Sequence, residues 1–261
     1  MVLALSRFIL TVNLVFYIAR YGVRPGCIHP SIEYIVLSLG AIILRFVFWI
    51  TDVVKEATNL GCQTHILRTR TVSALLLFLL SEVIFFFTFF WAYFHSALRE
   101  GPELITWPPF GVIGIYPFGV PLLNTAILLS SGARVTWAHH SIYRGDIKKT
   151  FVPLILSIVL GVYFCIIQVV EFLECGFSIS DRVYGSVFFI TTGFHGLHVI
   201  LGTVILRVRT IRLYFYHFTS GRILGLEFSI WYWHLVDFVW LLVYAWIYCW
   251  GQHDGSFTLS P

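Results

Sequence analysis

Seven long apolar segments constrain what this chain can fold into more than any other feature. A transmembrane helix needs about 20 mainly apolar residues to cross about 30 Å of hydrocarbon. Segments of that kind follow one another along the chain, and the charged residues lie mostly between them. The predicted spans are Val2–Ala19, Ser31–Ile50, Thr71–His95, Pro121–His140, Phe151–Glu174, Val183–Leu206 and Ser229–Trp250. The sequence therefore predicts an all-α, polytopic membrane protein with seven transmembrane helices.

The composition excludes a soluble fold. Of the 261 residues, 58% are hydrophobic and only 11% are charged, whereas a soluble domain carries about 25% charge. The net charge of +4 does not indicate nucleic-acid binding, because the basic residues fall in short loops beside spans. The first apolar segment lacks a small-residue cleavage site and is expected to be a retained span. We expect a single membrane domain over residues 1–261, with spans one and two in 2–50 and spans three to seven in 71–250.

The distribution of basic residues predicts the orientation of the chain. The loops after spans two, four and six hold Lys55, Arg68, Arg70, Arg144, Lys148, Lys149, Arg207, Arg209, Arg212 and Arg222. The opposite side holds Arg20, Arg24, Arg99 and Arg182. Basic residues accumulate on the side where a membrane protein is made, so the N-terminus is predicted there and the C-terminus across the membrane. Basic clusters beside a span also attract lipid phosphates, so the loops 56–70 and 207–228 either only set topology or also bind anionic lipid.

Glu82 lies inside the apolar run from Ser81 to Trp91. A charged side chain at the bilayer centre costs about 2.5–3.5 kcal/mol on insertion scales, so such residues usually face protein, water or a buried partner. Glu82 is therefore a predicted functional residue of a polar interior.

Four predicted helices carry polar stripes at helical spacing. The stripes are Thr191, His195, His198 and Gly202; His234, Asp237, Tyr244 and Tyr248; Cys165, Gln168 and Glu171; and Ser81, Thr88 and His95, with Glu82 one residue aside. Gly193, Gly196 and Gly202 are expected to let a neighbouring backbone approach closely. We predict inward faces joined by hydrogen bonds among Glu82, Glu171, Asp237, His195, His198 and His234. Two roles stay open for these residues, namely structural hydrogen bonding and proton relay.

Polar residues inside the bilayer also occur in proteins with three other functions, namely haem binding, zinc binding and transport. Two haems, one near each membrane surface, would need two histidines about 13 residues apart on one helix, and no such pair occurs. Zinc is not favoured, because no pair of cysteines accompanies the histidines. A transporter would often show repeated halves and helices broken at mid-membrane, which seven spans without a mid-span proline do not suggest. No catalytic residue and no metal site are predicted in this chain.

Several stretches resemble the cytochrome c oxidase subunit III family. They are Ser81–Ser96, Val120–Thr125, Ser131–Gly132, Thr136–His140, Thr192–Val199 and Trp231–Asp237, and they occur in the order and spacing of the family between Asp52 and Trp250. Within them, Glu82 matches the buried glutamate of the family. The stretch Asp52-Val53-Val54-Lys55-Glu56 matches the conserved pattern after the second helix, whereas Arg134 departs from the usual small or apolar residue.

The resemblance implies a non-redox subunit of a respiratory oxidase. Such a subunit packs on catalytic subunit I, which holds haem and copper, reduces O₂ and pumps protons, and it supports proton uptake and protects the catalytic core. Subunit II and accessory subunits are further expected partners. The resemblance also implies that the first two helices splay from a five-helix bundle, and that the cleft holds phospholipids. Lys55, Glu56, Arg68 and Arg70 are the predicted lipid-binding residues.

Alternatives remain open at this stage. The chain is expected in the mitochondrial inner membrane, with its N-terminus in the matrix and its C-terminus in the intermembrane space; a bacterial plasma membrane is the alternative. A quinol oxidase subunit III is a second possible function, although its five-helix version lacks the first two spans. A self-contained membrane haem protein is the third.

Overall fold

A computed structural model describes residues 65–98, 107–109, 112, 114–215 and 223–250, together with positions 40, 44, 45, 48, 51, 52 and 55. The continuous parts form five α-helices, and the fifth continues as a π-helical segment. The helices are α1 His65–Ala97, α2 Val120–Tyr143, α3 Ile147–Glu174, α4 Arg182–Tyr214 and α5 Leu224–Val243, with the π-helical segment Tyr244–Cys249. The chain divides into two compact units, Met1–Thr71 and Val72–Pro261.

The five helices correspond to predicted spans three to seven. The first predicted span and the splay of the first two helices lie outside the described residues. The second span is helical at Gly40, Leu44, Arg45 and Phe48, and helical positions also occur at Thr51, Asp52 and Lys55, beyond its predicted end. The stretch Trp107–Pro109, which lies between predicted spans three and four, is not helical.

Four of the described helices are long and apolar enough to cross a membrane. These segments are Ile66–Ala97, Ile147–Glu174, Arg182–Tyr214 and Leu224–Cys249. Helix α2 is 24 residues long but is not among them. It buries Asn124, Thr125, Ser131 and Ser141 against its neighbours, and such polar residues are tolerated in a bilayer when they face protein. Helix α2 is therefore a predicted span whose polar residues are enclosed by the bundle.

The helices extend beyond the apolar segments that predicted them. Helix α4 runs to Tyr214, past the predicted end at Leu206, and α3 begins at Ile147, before Phe151. Hydropathy detects only the hydrocarbon-crossing part of a helix, whereas backbone hydrogen bonds continue into polar residues. Pro121 lies in the first turn of α2, where its missing N–H group costs no hydrogen bond. Pro153 lies inside α3, because that helix starts at Ile147 and not at the predicted Phe151.

Trp233 is the centre of the packing between α3, α4 and α5. Its side chain is fully buried. A Cβ atom added to Gly161 would lie 2.6 Å from Trp233 Cη2, and one added to Gly202 would lie 3.0 Å from Trp233 Cε3. Small residues allow such close approach between membrane helices. The predicted role of Gly202 is thus confirmed. No described residue lies within 4 Å of a Cβ atom added to Gly193 or Gly196, so the role of these two glycines stays a prediction.

Two indole groups connect α5 to α2 by hydrogen bonds. Trp233 Nε1 donates to Ser131 Oγ at 3.0 Å, and Trp240 Nε1 donates to Thr125 Oγ1 at 2.9 Å. A buried N–H group needs an acceptor, and the hydroxyl groups of α2 supply it. These bonds fix the register between α2 and α5, on which the polar contacts described below depend.

Candidate functional site

Glu82 on α1 and His198 on α4 form a hydrogen-bonded pair. Glu82 Oε2 lies 2.8 Å from His198 Nε2, and both side chains are largely buried. The His198 ring packs edge-on against Phe86, with ring centroids 4.9 Å apart, and stacks on Tyr232 at 6.4 Å. The structure thus gives Glu82 the protein partner that its apolar surroundings require.

The hydrogen bond of the second His198 nitrogen determines how many protons the pair holds. His198 Nδ1 lies 2.7 Å from the carbonyl oxygen of Phe194. A carbonyl only accepts hydrogen bonds, so Nδ1 carries a proton. The bond between Nε2 and Glu82 then contains one further proton, either on the imidazole or on the carboxyl group. The pair has no net charge in either arrangement, which suits a low-dielectric site.

His195 lies one turn away on α4 and is fully buried. Its Nε2 atom lies 3.1 Å from the carbonyl oxygen of Val236, to which it donates a proton. The ring lies between Trp240 and Phe164, with centroids 5.0 and 5.7 Å away. His195 Nδ1 is buried and has no hydrogen-bond partner in the part of the chain that the structure describes. The contacts of His195 are those of a packing residue that joins α4 to α5.

Glu171 belongs to a separate polar cluster near the end of α3. Tyr248 donates to Glu171 Oε1 at 2.5 Å, and Gln168 Nε2 donates to the same oxygen at 3.2 Å. Asn124 Nδ2 in turn donates to Gln168 Oε1 at 3.3 Å. Tyr248 comes from the π-helical segment, and such segments often occur at functional sites because they reposition a side chain.

His234 and Asp237 lie on α5 and face α2. His234 Nε2 is 3.2 Å from the Thr136 hydroxyl group. The nearest atom to a Cβ added at Gly132 would be Asp237 Oδ2, at 2.7 Å, and His234 Nδ1 would follow at 3.8 Å. Gly132 therefore provides the space that the Asp237 carboxyl group occupies. Asp237 Oδ1 is buried, and no described residue bonds to it.

The six predicted residues do not form one hydrogen-bonded network. Among them only Glu82 and His198 bond to each other; the other four bond to different groups or, like Asp237, to no described residue. The stripe Ser81, Thr88 and His95 is exposed among the described residues, and Ser81 and Thr88 bond to carbonyl oxygens of α1. Hydroxyl groups in membrane helices commonly bond back to their own helix, which explains why a polar stripe need not face the interior.

Sequence reasoning missed a contact between the ends of α2 and α5. Tyr143 donates a short hydrogen bond to Glu227 Oε1, and the His139 ring packs edge-on against Tyr143 at 5.0 Å. Glu227 precedes the predicted seventh span, which begins at Ser229, and so falls outside the predicted helix. In the structure it lies in the first turn of α5, where an acidic residue is favourable. An acidic residue just before an apolar segment is the sequence signal that identifies this earlier start.

The remaining predicted positions are outside these clusters. Arg134 turns back along α2 and donates from Nη1 to the carbonyl oxygen of Ser130 at 3.2 Å, which is how a long basic side chain in a span satisfies one donor. Lys55, Arg68 and Arg70 are exposed, and Glu56 lies outside the described residues. In the described part of the chain, no three His, Cys, Asp or Glu side chains come close enough to hold a metal ion.

Comparison with known proteins decides which of the families considered from the sequence this chain belongs to. The family model for cytochrome c oxidase subunit III matches residues 2–252. The chain belongs to the cytochrome c oxidase subunit III family. The family predicted from the motifs is confirmed, and membership makes the protein a transmembrane component of respiratory complex IV.

Similar curated proteins agree with the family match. The chain is 51% identical over 216 residues to cytochrome c oxidase subunit 3 of Paracentrotus lividus, covering 82% of this chain and 83% of that one. It is 46% identical over 248 residues to the subunit 3 of Branchiostoma lanceolatum, covering 95% and 91%, respectively. The identity to the subunit 3 of Loxodonta africana is 48% over 225 residues, with 86% of each chain covered. These animal relatives and the membrane-spanning helices support a protein of the mitochondrial inner membrane.

Proposed function

We propose that this chain is a non-redox subunit of cytochrome c oxidase that stabilises catalytic subunit I, supports its proton uptake and binds structural phospholipids. The family match over residues 2–252 is the observation that carries the proposal. The chemistry of O₂ reduction would then take place on the haem and copper of partner subunits. Subunit I is the main proposed contact, with subunit II and accessory subunits as further partners.

The distribution of apolar side chains supports a subunit packed in a larger membrane assembly. Helix α1 exposes Leu77, Ile84, Phe87 and Trp91 among the described residues, each by more than half of its surface. Exposed apolar surface of this extent fits contact with lipid or with the apolar face of another subunit. We infer that part of this surface contacts subunit I.

The enclosed polar groups support a role in proton handling. Glu82 and His198 share one proton in a pair that joins α1 to α4. A buried carboxyl–imidazole pair can exchange this proton without creating a net charge. We propose that the pair supports proton uptake by subunit I, either directly or by holding α1 in place, without taking part in the reduction of O₂.

The proposed phospholipid site uses Lys55, Glu56, Arg68 and Arg70. Arg68 and Arg70 lie in the first two turns of α1, before the apolar part of that helix, and their side chains are exposed. Basic residues at this position interact with lipid phosphates. Loss of phospholipid from the purified complex of the double variant Arg68→Ala and Arg70→Ala, measured by mass spectrometry, tests the site. Arg144→Ala, in the loop between α2 and α3, is the matched control.

The proposed function as a whole is tested by removing the chain from the assembled oxidase. We expect the depleted complex to retain its haems and to transfer electrons, but to take up protons more slowly and to lose activity faster during turnover. Adding the chain back should reverse both defects. A depleted complex that lacks haem spectra would show that the redox centres depend directly on this chain, which contradicts the proposal.

A further inference from the structure

The interface between α2 and α5 contains a row of groups that can exchange protons. On α2, positions 132, 136, 139 and 143 are spaced by three or four residues and so share one face. Across from them, α5 presents Glu227, His234 and Asp237. The two helices run antiparallel, so the pairs follow in order: Tyr143 with Glu227, Thr136 with His234, and Gly132 with Asp237.

The hydrogen bonds of Thr136 define how a proton would pass the middle of the row. The Thr136 hydroxyl group donates to the carbonyl oxygen of Gly132 at 3.0 Å. Its single hydrogen is therefore in use, and at 3.2 Å it accepts from His234 Nε2. His234 is thus protonated on Nε2, and its Nδ1 atom is directed towards Gly132, as is the Asp237 carboxyl group. His234 Nδ1 and Asp237 Oδ2 thus lie near the same point of α2, at 3.8 and 2.7 Å from the position of a Cβ atom added to Gly132.

Two buried atoms along the row lack a partner. They are His139 Nε2 and Asp237 Oδ1, neither of which is bonded within the described residues. Buried polar atoms in proteins are nearly always hydrogen-bonded to protein or to internal water, and internal water typically bridges two to four polar groups. His139 lies between the Tyr143–Glu227 and Thr136–His234 contacts, where such a bridge would complete the connection. Because Gly132 has no Cβ atom, the Asp237 carboxyl group approaches α2 closely at this point.

We propose that the α2–α5 interface is a proton-exchange track, completed by internal water, between Glu227 at the end of α5 and Asp237 near its middle. Ten residues of helix separate these two acids, which is about 15 Å along the axis. The track thus leads from the helix end beside the basic Arg144 loop to a carboxyl group inside the bilayer. The proposal deepens the proposed function, on which its use by the oxidase rests.

Each step of the track balances in bonds and protons. A proton from the aqueous phase reaches Glu227, and Tyr143 and His139 pass it along through water. At the middle of the track, transfer starts from the tautomer of His234 that carries its proton on Nδ1. Nδ1 gives this proton to the Asp237 carboxylate through water, while Nε2 takes the proton of the Thr136 hydroxyl group and Thr136 is reprotonated by the water beside His139. The hydrogen bonds seen in the structure are those of the state after this transfer. The net change is one new O–H bond on the Asp237 carboxylate and one proton taken from water.

Time-resolved infrared spectroscopy of the intact oxidase complex tests the track. A light-triggered acid jump should produce a carboxylic acid band that is absent in Asp237→Asn. Thr136→Val preserves the shape of the side chain and removes the central hydroxyl group, so this band should appear at least tenfold more slowly. Thr192→Val is the matched control, because Thr192 is a buried residue whose hydroxyl group, among the described residues, bonds within its own helix, to the carbonyl oxygen of Phe188.

The results of these experiments distinguish the existence of the track from its use by the oxidase. Equal rates in Thr136→Val and Thr192→Val would overturn the track, as would an unchanged spectrum in Asp237→Asn. A high-resolution map of the complex that shows water beside His139 Nε2 and Asp237 Oδ1 would support it, and a map with protein atoms packed against both would overturn it. If Thr136→Val slows the band but leaves proton uptake during turnover unchanged, the track stands and its proposed use by the oxidase falls.

Discussion

At the residue scale, the notable feature is that an acid at bilayer depth has a specific partner among the described residues. Glu82 bonds to His198, and the second nitrogen of His198 is fixed by the carbonyl oxygen of Phe194. The proton between Glu82 and His198 can move from one group to the other while the pair stays neutral. A substitution that keeps the hydrogen bond and removes the exchangeable proton therefore separates the structural role of the pair from its role in proton handling.

Glu82→Gln is such a substitution. The amide can donate to His198 Nε2, so we expect normal assembly and largely unchanged O₂ reduction. Because the exchangeable proton is lost, proton uptake should be slower or inactivation during turnover faster, as measured by the pH change of a weakly buffered suspension and by activity over successive turnovers. Ser81→Ala is the control, because Ser81 is exposed and bonds to the carbonyl oxygen of Phe78. Complete loss of O₂ reduction in a fully assembled Glu82→Gln oxidase would mean that Glu82 is catalytic.

A second prediction at this scale concerns the contact between Gly161 and Trp233. A Cβ atom at position 161 would lie 2.6 Å from Trp233 Cη2 and 2.7 Å from Thr203 Oγ1. Gly161→Ala should therefore lower the free energy of unfolding by about 1–3 kcal/mol through overpacking. Gly193→Ala is the matched control, because the added methyl group meets nothing described within 4 Å. Unfolding in mixed micelles with increasing denaturing detergent measures both, and equal stability of the two variants would contradict the packing account.

At the element scale, the start of α3 depends on Asp146. Its Oδ1 atom accepts from the backbone N–H of Lys149 at 3.3 Å, and Oδ2 lies 2.8 Å from Lys149 Nζ. The side-chain hydrogen bond from Lys149, followed by the backbone hydrogen bond, holds the pKa of Asp146 below its ordinary value. A lowered pKa means that the cap stabilises the helix above the unfolded-state pKa and loses this effect as the pH falls through the folded-state pKa.

The pH dependence of this cap is a testable consequence. Hydrogen exchange of the Lys149 amide should be slow and constant at neutral pH, relative to its intrinsic rate, and lose protection only under strongly acidic conditions. Asn is an equally good N-cap residue that does not titrate, so in Asp146→Asn the protection should not change over the same acidic range. Loss of protection at the same pH in both proteins would show that another group is responsible.

The elements also show what the sequence could and could not predict. Hydropathy located α1 to α5, because an apolar segment of span length in a bilayer has few alternatives to a helix. It did not locate their ends, since residues such as Arg209 and Arg212 continue α4 without adding apolar character. Periodicity identified His195 and Gln168 as buried, but it predicted an inward-facing stripe on α1 that is exposed in the described structure. Helical spacing shows which residues share a face and not which way that face points.

The pairing of polar side chains was the least predictable part of the site. Glu82 and His198 are 116 positions apart, and Tyr143 and Glu227 are 84 apart. The contact between Tyr143 and Glu227 follows from the register between α2 and α5, which is set by the bonds of Trp233 to Ser131 and of Trp240 to Thr125. A single sequence records the composition of each helix face, but the register depends on the combined packing of all helices.

At the scale of the whole molecule, the ends of the helices should divide between the two sides of the membrane. Helix α3 has 28 residues and is therefore about 42 Å long, enough to cross the hydrocarbon core and reach both surfaces. Lys148 lies at its start and Ser180 lies beyond its end, and both side chains are exposed. The excess of basic residues in the loop with Lys148 predicts that this loop faces the matrix, with the N-terminus, and that Ser180 and the C-terminus face the intermembrane space.

Labelling of two engineered cysteines decides this orientation. Lys148→Cys and Ser180→Cys are each introduced singly, and the unmodified chain, with its five cysteines, gives the background. A maleimide that does not cross membranes should label Ser180→Cys when added to mitochondria stripped of their outer membrane, and Lys148→Cys only when added to inverted inner-membrane vesicles. The two positions control each other, because every reagent and vesicle preparation must label one and spare the other. Labelling of Lys148→Cys from the intermembrane-space side would reverse the predicted topology, and with it the side from which the α2–α5 track receives protons.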